Sequence, residues 1–212
     1  MNEIEIKAHV ENREALVQRL NQIATLQASV TRDDTYYSLP VHGAKRLRIR
    51  KEKSANSEKI LVTYKRKELR NEGSGFETEV NEEMECLVTN ALPLETFLLD
   101  SGFTVHLKKH KEVSDWNYTA KDSKGNDIPV TLELCNVPPL GDFLEIEILS
   151  SETEPQKIQK LQDLLLEVLV KLNHAIIQKC SGKQPLRQRA ATDWRKNAIQ
   201  QNSLQKSGKG PA

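Results

Sequence analysis

The sequence predicts an α+β fold in which helices cover the outside of an antiparallel β-barrel with a polar lumen. Two observations predict it. Many strand-like segments carry charged side chains at every second position and aliphatic ones between, so each strand has a charged and an apolar face. Three amphipathic segments with helical spacing need an apolar surface to cover. With the helices on the aliphatic faces, the charged faces turn inward, and a closed or nearly closed barrel results.

The first ten residues show the alternation most clearly. Glu3, Glu5 and Lys7 occupy every second position, and Ile4 and Ile6 fill the positions between. Because side chains alternate between the two faces of a strand, the two carboxylates and the lysine share one face. Such a pair of carboxylates can hold a hard metal ion, and the lysine can hold an anionic group beside it.

A helix is expected next, because Asn12 is a suitable N-cap and apolar residues follow at helical spacing. These residues are Leu16, Val17, Leu20 and Ile23. A second strand is expected around Thr35, Tyr36 and Tyr37, since β-branched and aromatic residues favour strands. Pro40 and Gly43 would then end this strand.

Basic and acidic strands follow. Arg46, Arg48 and Arg50 alternate with aliphatic residues, and a polar loop at 54–57 leads into another strand with the sequence ILVTYKRK. Glycines at 73 and 75 then break the chain before the strand FETEV.

A second helix is expected to begin at Pro93, which suits a first turn, and to end at Gly102. Its apolar side would consist of Leu94, Phe97 and Leu98. Two separate strands are expected at 104–113 and 116–120.

Two more strands and a third helix complete the domain. A turn at 124–127 precedes the strand VTLELC, and a Pro-Pro-Leu-Gly break precedes the strand FLEIEIL. The third helix begins near Pro155, and its apolar residues step by three and four. They are Ile158, Leu161, Leu165, Val168 and Leu172.

The domain is expected to span residues 1–180, followed by a basic, flexible tail at 181–212. Residues 183–212 contain seven Lys or Arg residues and one acid, Asp193, so seven minus one gives a charge of +6. The final residues SGKGPA are low in complexity, which is typical of disordered ends. Trp194 and Ile199 allow a short helix near 190–200.

Composition excludes several classes of protein. The net charge of the 212 residues is only +1, unlike that of a typical nucleic-acid binder. Three cysteines without a CxxC pair argue against a disulfide framework and a structural zinc site. No signal-peptide pattern opens the chain, and the longest apolar run, near 164–170, is too short to span a bilayer. We therefore expect a soluble, cytoplasmic protein.

The charged faces separate by sign. Acids recur as Glu-x-Glu pairs on three strands, and basic residues cluster on other strands. A half-solvated sheet explains the alternation of any single strand, but it would more often mix the signs. A charged lumen is costly unless its charges find partners. Mg²⁺ or Mn²⁺ on the carboxylates and a polyphosphate on the Lys and Arg side chains would supply them.

At this point the chain resembles the CYTH domain family of triphosphate tunnel metalloenzymes, which includes class IV adenylate cyclases and thiamine triphosphatases. The matching segments follow the order of the family and cover about residues 1–175. They are ExExK at Glu3–Lys7, DTYY at Asp34–Tyr37, LRxR at Leu47–Arg50, TYK at Thr63–Lys65, ExE at Glu77 and Glu79, KxR at Lys109–Lys111, and LGxFxExE at Leu140–Glu147.

The resemblance implies an eight-stranded antiparallel tunnel, a divalent metal and a triphosphate substrate. The implied metal ligands are Glu3, Glu5, Glu79, Glu145 and Glu147, with Glu77 assisting. The implied triphosphate-binding residues are Lys7, Arg48, Arg50, Lys65, Lys109 and Lys111. Within these sets, the candidate catalytic residues are Glu5, Lys65 and Lys111. Tyr36 and Tyr37 are expected to pack.

Four positions depart from the family pattern. Lys111 stands where the family has arginine, and Ser114 stands where a tyrosine is frequent. Gly75 replaces a common arginine. Cys135 replaces a usual aspartate, although Glu133 lies on the same strand face and could take its place.

Three functions remain open. The first is a class IV adenylate cyclase, which converts ATP to cyclic AMP and pyrophosphate; the compact length and the LGDFLEIE segment favour it. The second is a triphosphatase that acts on inorganic triphosphate, thiamine triphosphate or a nucleoside triphosphate; the complete ExE pairs favour it. The third is a non-catalytic polyphosphate- or nucleotide-binding module. A homodimer is one arrangement that an exposed hairpin would allow, and no membrane or nucleic-acid partner is expected.

Overall fold

The computed structural model of the chain describes the backbone of residues 1–71 and 78–172, and their side chains except those of 66–71. The expected glycine break, Glu77, the basic tail and the short helix near 190–200 lie outside the described residues. The helices are α1 (Arg13–Ile23), α2 (Leu92–Asp100) and α3 (Pro155–Leu172). The strands are β1 (Asn2–Val10), β2 (Thr25–Ser38), β3 (Arg46–Lys53), β4 (Glu58–Asn71), β5 (Thr78–Val88), β6 (Thr104–Lys121), β7 (Asp127–Val137) and β8 (Gly141–Ser150).

The eight strands form a closed antiparallel barrel in the order β1-β5-β4-β3-β2-β6-β7-β8, and β8 pairs with β1. The prediction of a closed antiparallel barrel is confirmed. Closure leaves no strand edge without a partner, so the backbone hydrogen bonds of the sheet are satisfied within the barrel.

The helices lie outside the barrel, as predicted. α1 and α3 cover the aliphatic face of β1, where Ile4 and Ile6 are buried against Leu16 of α1 and Leu165 of α3. The Asn12 side chain caps α1 by accepting a hydrogen bond from the Ala15 amide at 3.0 Å. The outward faces of the strands therefore supply the main hydrophobic core, which leaves their other faces for the lumen.

A smaller core lies under α2. Leu94 and Leu98 pack towards Ile49 and Val62 of the barrel, but Phe97 is 64% exposed. The expectation that Phe97 belongs to the apolar side is wrong. At about 100° per residue, Phe97 lies roughly a quarter-turn away from the face that Leu94 and Leu98 share.

Two strand boundaries also differ from the sequence prediction. β2 begins at Thr25, directly after α1, instead of near Thr35. The two strands expected at 104–113 and 116–120 are one continuous strand, β6. Ser114 pairs with Ser29 and Asp115 pairs with Ala28 of β2, so these two polar residues do not interrupt the strand.

No helix within the described ranges 1–71 and 78–172 is long and apolar enough to cross a membrane.

The packing of α3 should contribute strongly to stability. Leu165 is fully buried, so Leu165→Ala should lower the free energy of unfolding by about 2–5 kcal/mol because it leaves a cavity. Val170 on the same helix is 58% exposed. Val170→Ala should therefore change the free energy of unfolding by less than about 0.5 kcal/mol. Urea unfolding followed by circular dichroism measures both; equal effects would contradict the packing described here.

Candidate functional site in the barrel lumen

The strand register brings acidic residues together on the lumen wall. Glu5 of β1 lies directly opposite Glu79 of β5 and Glu147 of β8. Residues that face each other across antiparallel strands point to the same side of the sheet. Three predicted metal ligands therefore lie in one row on three neighbouring strands, and Glu5 and Glu79 are buried, with 3% and 8% exposure.

We call Glu3, Glu5, Glu83 and Glu147 the acidic cluster. Within the part of the chain that is described, Glu147 makes no hydrogen bond or ion pair. Burial and then the nearby carboxylates of Glu3 and Glu5 raise the pKa of Glu147 to about 8. The acidic cluster therefore has more negative charge than its surroundings neutralise, and its oxygen donors suit Mg²⁺ or Mn²⁺.

Lys65 lies at the acidic cluster. Its ammonium is 2.8 Å from Glu3 Oε2 and 2.5 Å from Glu83 Oε1. Burial lowers the pKa of Lys65, but the carboxylates, with Glu5 the largest, outweigh it and raise the pKa above its usual range. Lys65 stays charged here and partly neutralises the acidic cluster.

The opposite part of the lumen is basic. We call Arg48, Arg50, Lys109 and Lys111 the basic wall. Arg50 donates two hydrogen bonds to Asp34, at 2.6 and 2.9 Å. Arg48 donates to Thr63 Oγ1 at 3.0 Å, while its buried Nε has no hydrogen-bond partner among the described residues.

Among the residues whose side chains the structure describes, Lys109 has no partner in a hydrogen bond or ion pair. Burial, and then the neighbouring Lys111 ammonium, lower the pKa of Lys109 to about 8. A buried cation without a partner and a buried guanidinium N–H without an acceptor would both be stabilised by an anion. The basic wall thus has the chemistry of an anion site.

Lys7 links the two regions. Its ammonium is 3.0 Å from Glu5 Oε2 and 3.7 Å from Glu145 Oε2, and its side chain is 43% exposed. An anion on the basic wall and a cation on the acidic cluster would therefore be neighbours.

Glu145 lies with the cations and not in the acidic cluster. It accepts a hydrogen bond from Lys111 at 3.1 Å. Burial raises the pKa of Glu145, but Lys111 and Lys7 outweigh it and hold the pKa well below its usual range. Glu145 is thus a predicted metal ligand that the structure places between two ammonium groups, those of Lys111 and Lys7.

A second group of donor atoms surrounds Lys111. Glu133, Cys135 and Glu145 each place a donor atom within 4.8 Å of the others. The Lys111 ammonium already binds both carboxylates, at 2.9 and 3.1 Å. Burial raises the pKa of the Cys135 thiol to about 12, so the thiolate is disfavoured. A hard cation therefore fits the acidic cluster better.

Sequence reasoning missed several lumen residues. Arg32, Asp34 and Tyr36 of β2 alternate, and Asp34 lies opposite Arg50 while Tyr36 lies opposite Arg48. Tyr36 thus faces the lumen, and the expectation of packing holds only for Tyr37, which is buried under α2. The same period-two pattern that identified β1 could have found these residues.

Comparison with known proteins gives a family and a fold. A sequence model of the CYTH domain matches residues 1–179, and no curated protein matches the chain.

Several solved structures are similar to the chain, and three of them are described here. The PH1819 protein of Pyrococcus horikoshii is 25% identical with a TM-score of 0.63, over 84% of this chain and 94% of that one. A putative adenylate cyclase from Vibrio parahaemolyticus is 14% identical with a TM-score of 0.65, over 90% and 97%. A putative adenylyl cyclase from Hippeastrum, described as having a dominant triphosphatase activity, is 17% identical with a TM-score of 0.55, over 89% and 96%. The closed eight-stranded barrel and the match over residues 1–179 together establish that this chain belongs to the CYTH family.

Proposed function

We propose that the chain is a divalent-metal-dependent enzyme that binds a triphosphate in the lumen and cleaves it. The reaction proposed first is that of a class IV adenylate cyclase, which forms cyclic AMP and pyrophosphate from ATP. The observation that carries the proposal is the separation of charge inside one barrel. The acidic cluster carries an excess of carboxylates. On the basic wall, Lys109 and the Nε of Arg48 have no partner among the described side chains.

The basic wall would bind the phosphates. Arg48 and Arg50 present planar guanidinium groups that match phosphate oxygens, and Lys109 adds a point charge. Lys7 would hold the phosphate nearest the acidic cluster, because it already lies beside Glu5.

Glu3, Glu5 and Glu147 would hold the metal, with Glu79 beside them on β5. Bound there, Mg²⁺ or Mn²⁺ would polarise a phosphoryl oxygen and neutralise developing negative charge. The chain itself binds and orients the triphosphate, and the low dielectric of the lumen strengthens each of these contacts.

Hydrolysis is the second candidate. The number of carboxylates in the acidic cluster favours it, because several oxygen ligands can also orient water for attack on a phosphorus atom. The substrate would then be inorganic triphosphate, thiamine triphosphate or a nucleoside triphosphate.

A product assay distinguishes these reactions. The purified protein is incubated with Mn²⁺ or Mg²⁺ and, separately, with ATP, inorganic triphosphate and thiamine triphosphate, and the products are separated by anion-exchange chromatography. Cyclic AMP with pyrophosphate supports the cyclase, and orthophosphate without cyclic AMP supports the triphosphatase. Binding of tripolyphosphate without turnover of any substrate would contradict an enzymatic role.

The affinity for tripolyphosphate should fall as the pH rises through about 8. The pKa of Lys109 is lowered to about 8 in the free protein, so above this pH the binding of an anion must also restore a proton to Lys109. Lys109→Met should bind more weakly and should lose this pH dependence. Calorimetry in metal-free buffer from pH 7 to 9 measures the affinity for tripolyphosphate. Lys108→Met, on the exposed face of β6, is the matched control. Parallel pH profiles for all three proteins would refute the assignment.

A further inference from the structure

Arg32 lies at the centre of a buried carboxylate group that the proposed function does not use directly. Its side chain is 11% exposed. The guanidinium donates to Glu52 at 2.6 Å and to Asp115 at 2.8 Å, and it also donates to Glu133. One side chain thus binds three carboxylates, which come from β3, β6 and β7.

Glu133 is shared between two cations. Its Oε2 accepts from Arg32, while its Oε1 accepts from Lys111 at 2.9 Å. Because each oxygen of the carboxylate has its own donor, Glu133 is held in one orientation between the two side chains. The position of the Lys111 ammonium therefore depends on Arg32, which acts on it through Glu133.

The charge balance around Glu133 also couples Arg32 to Lys111. Without Arg32, the carboxylates of Glu52, Asp115 and Glu133 would lose their common cation. Lys59 already binds Glu52 at 2.7 Å, so Lys111 would be the nearest buried cation for Glu133. A buried unpaired carboxylate is costly, and it would compete with a bound phosphate for the Lys111 charge.

We propose that Arg32 is a positioning residue that holds Glu133 in a bridge to Lys111 and so keeps the Lys111 ammonium available on the basic wall for the substrate. The role rests on the proposed function, since it concerns how the same lumen binds phosphate. Arginine suits it because a planar fork of five N–H groups can serve three carboxylates, whereas a lysine ammonium cannot hold them all in fixed directions.

The effect should depend on pH. The charged groups that face this network come from seven strands. With the Cys135 thiol included, they are Lys7 on β1, Asp34 and Arg32 itself on β2, Arg50 and Glu52 on β3, Lys59 on β4, Lys109, Lys111 and Asp115 on β6, Glu133 and Cys135 on β7, and Glu145 and Glu147 on β8. Without Arg32, the unpaired carboxylates would take up protons more readily as the pH falls. Protonated, they would no longer attract Lys111.

The test measures the dissociation constant of tripolyphosphate in metal-free buffer, so that no turnover follows. Arg32→Gln should raise this constant about tenfold at pH 7.5, an effect typical of losing a supporting side chain. The ratio of variant to wild type should shrink at pH 5.5. Adding Glu133→Gln to Arg32→Gln should restore the constant to within about threefold of Glu133→Gln alone, because the carboxylate that competes for the Lys111 ammonium is then gone.

Arg13→Gln is the matched control. It removes another guanidinium–carboxylate pair, at 2.8 Å from Asp142, outside this network, and it should leave the affinity unchanged. Should Arg32→Gln fail to fold, Arg32→Lys keeps the charge and should show a smaller increase with the same pH trend. An unchanged affinity in the folded variant, or no rescue in the double variant, would overturn the role of Arg32. Absence of tripolyphosphate binding by the wild type would overturn the proposed function and this role with it.

Discussion

Replacing Glu5 with glutamine should reduce metal-dependent turnover at least about 100-fold, which corresponds to ~2.7 kcal/mol of lost transition-state stabilisation. Glu5 is 3% exposed and lies in one row with Glu79 and Glu147. Glutamine keeps the shape but removes one negative charge from the acidic cluster. The cluster would then bind a divalent ion more weakly, because carboxylates are its main source of affinity.

The fold should survive this change. Glu5 Oε2 contacts the Lys7 ammonium at 3.0 Å, and Glu5 Oε1 accepts from Asn81 at 3.4 Å. Glutamine keeps one acceptor oxygen for the Lys7 ammonium and gives up the longer contact to Asn81. Initial rates against Mn²⁺ concentration, with circular dichroism of the same samples, measure the effect. Glu112→Gln, on the exposed outer face of β6, is the control and should behave as wild type. Equal rates for Glu5→Gln and Glu112→Gln at all metal concentrations would exclude Glu5 as a metal ligand.

The barrel could be predicted from the sequence because side-chain alternation is local. Each strand shows by itself which residues share a face, as Glu3, Glu5 and Lys7 do in β1. The position of the helices outside the barrel could also be predicted, because their apolar faces match the apolar outward faces of the strands. The length of a continuous strand such as β6 was harder to predict. Polar residues in the middle of a strand have the composition of a turn, and only their pairing with neighbouring strands shows that the strand continues.

The placement of Glu145 among the cations could not be predicted, because it depends on register. Glu145 and Glu147 form one ExE pair in sequence and were expected to share a role. In the structure Glu147 lies opposite Glu5, while Glu145 lies opposite Lys7. Residues two apart in a strand are about 6.6 Å apart, so a register shift of two residues would exchange their neighbours. Sequence alternation is the same for both registers.

Glu147→Gln should stabilise the metal-free protein at alkaline pH. The pKa of Glu147 is about 8 in the folded protein, whereas an ordinary glutamate has a pKa of 4.5. Below pH 4.5 both states hold the proton, so the variant and the wild type should be similar. Between pH 4.5 and 8 the unfolded state releases the proton while the folded state retains it, so stability falls with rising pH. Above pH 8 the full cost of a buried, repelled carboxylate is present in the wild type only.

Because the variant lacks this repelled carboxylate, we expect a Tm increase of roughly 5 °C or more at pH 8.5 and little change at pH 4.5. Mg²⁺ or Mn²⁺ should reverse the order, because an ion bound only to the folded state stabilises the wild type. Differential scanning fluorimetry with EDTA or Mn²⁺ measures both effects, with Glu112→Gln as the control. A lower Tm than wild type in EDTA at pH 8.5 would show that Glu147 is not held under repulsion. Since one substitution should stabilise the empty lumen and weaken its response to metal, this opposite pair of effects separates a metal ligand from a merely structural carboxylate.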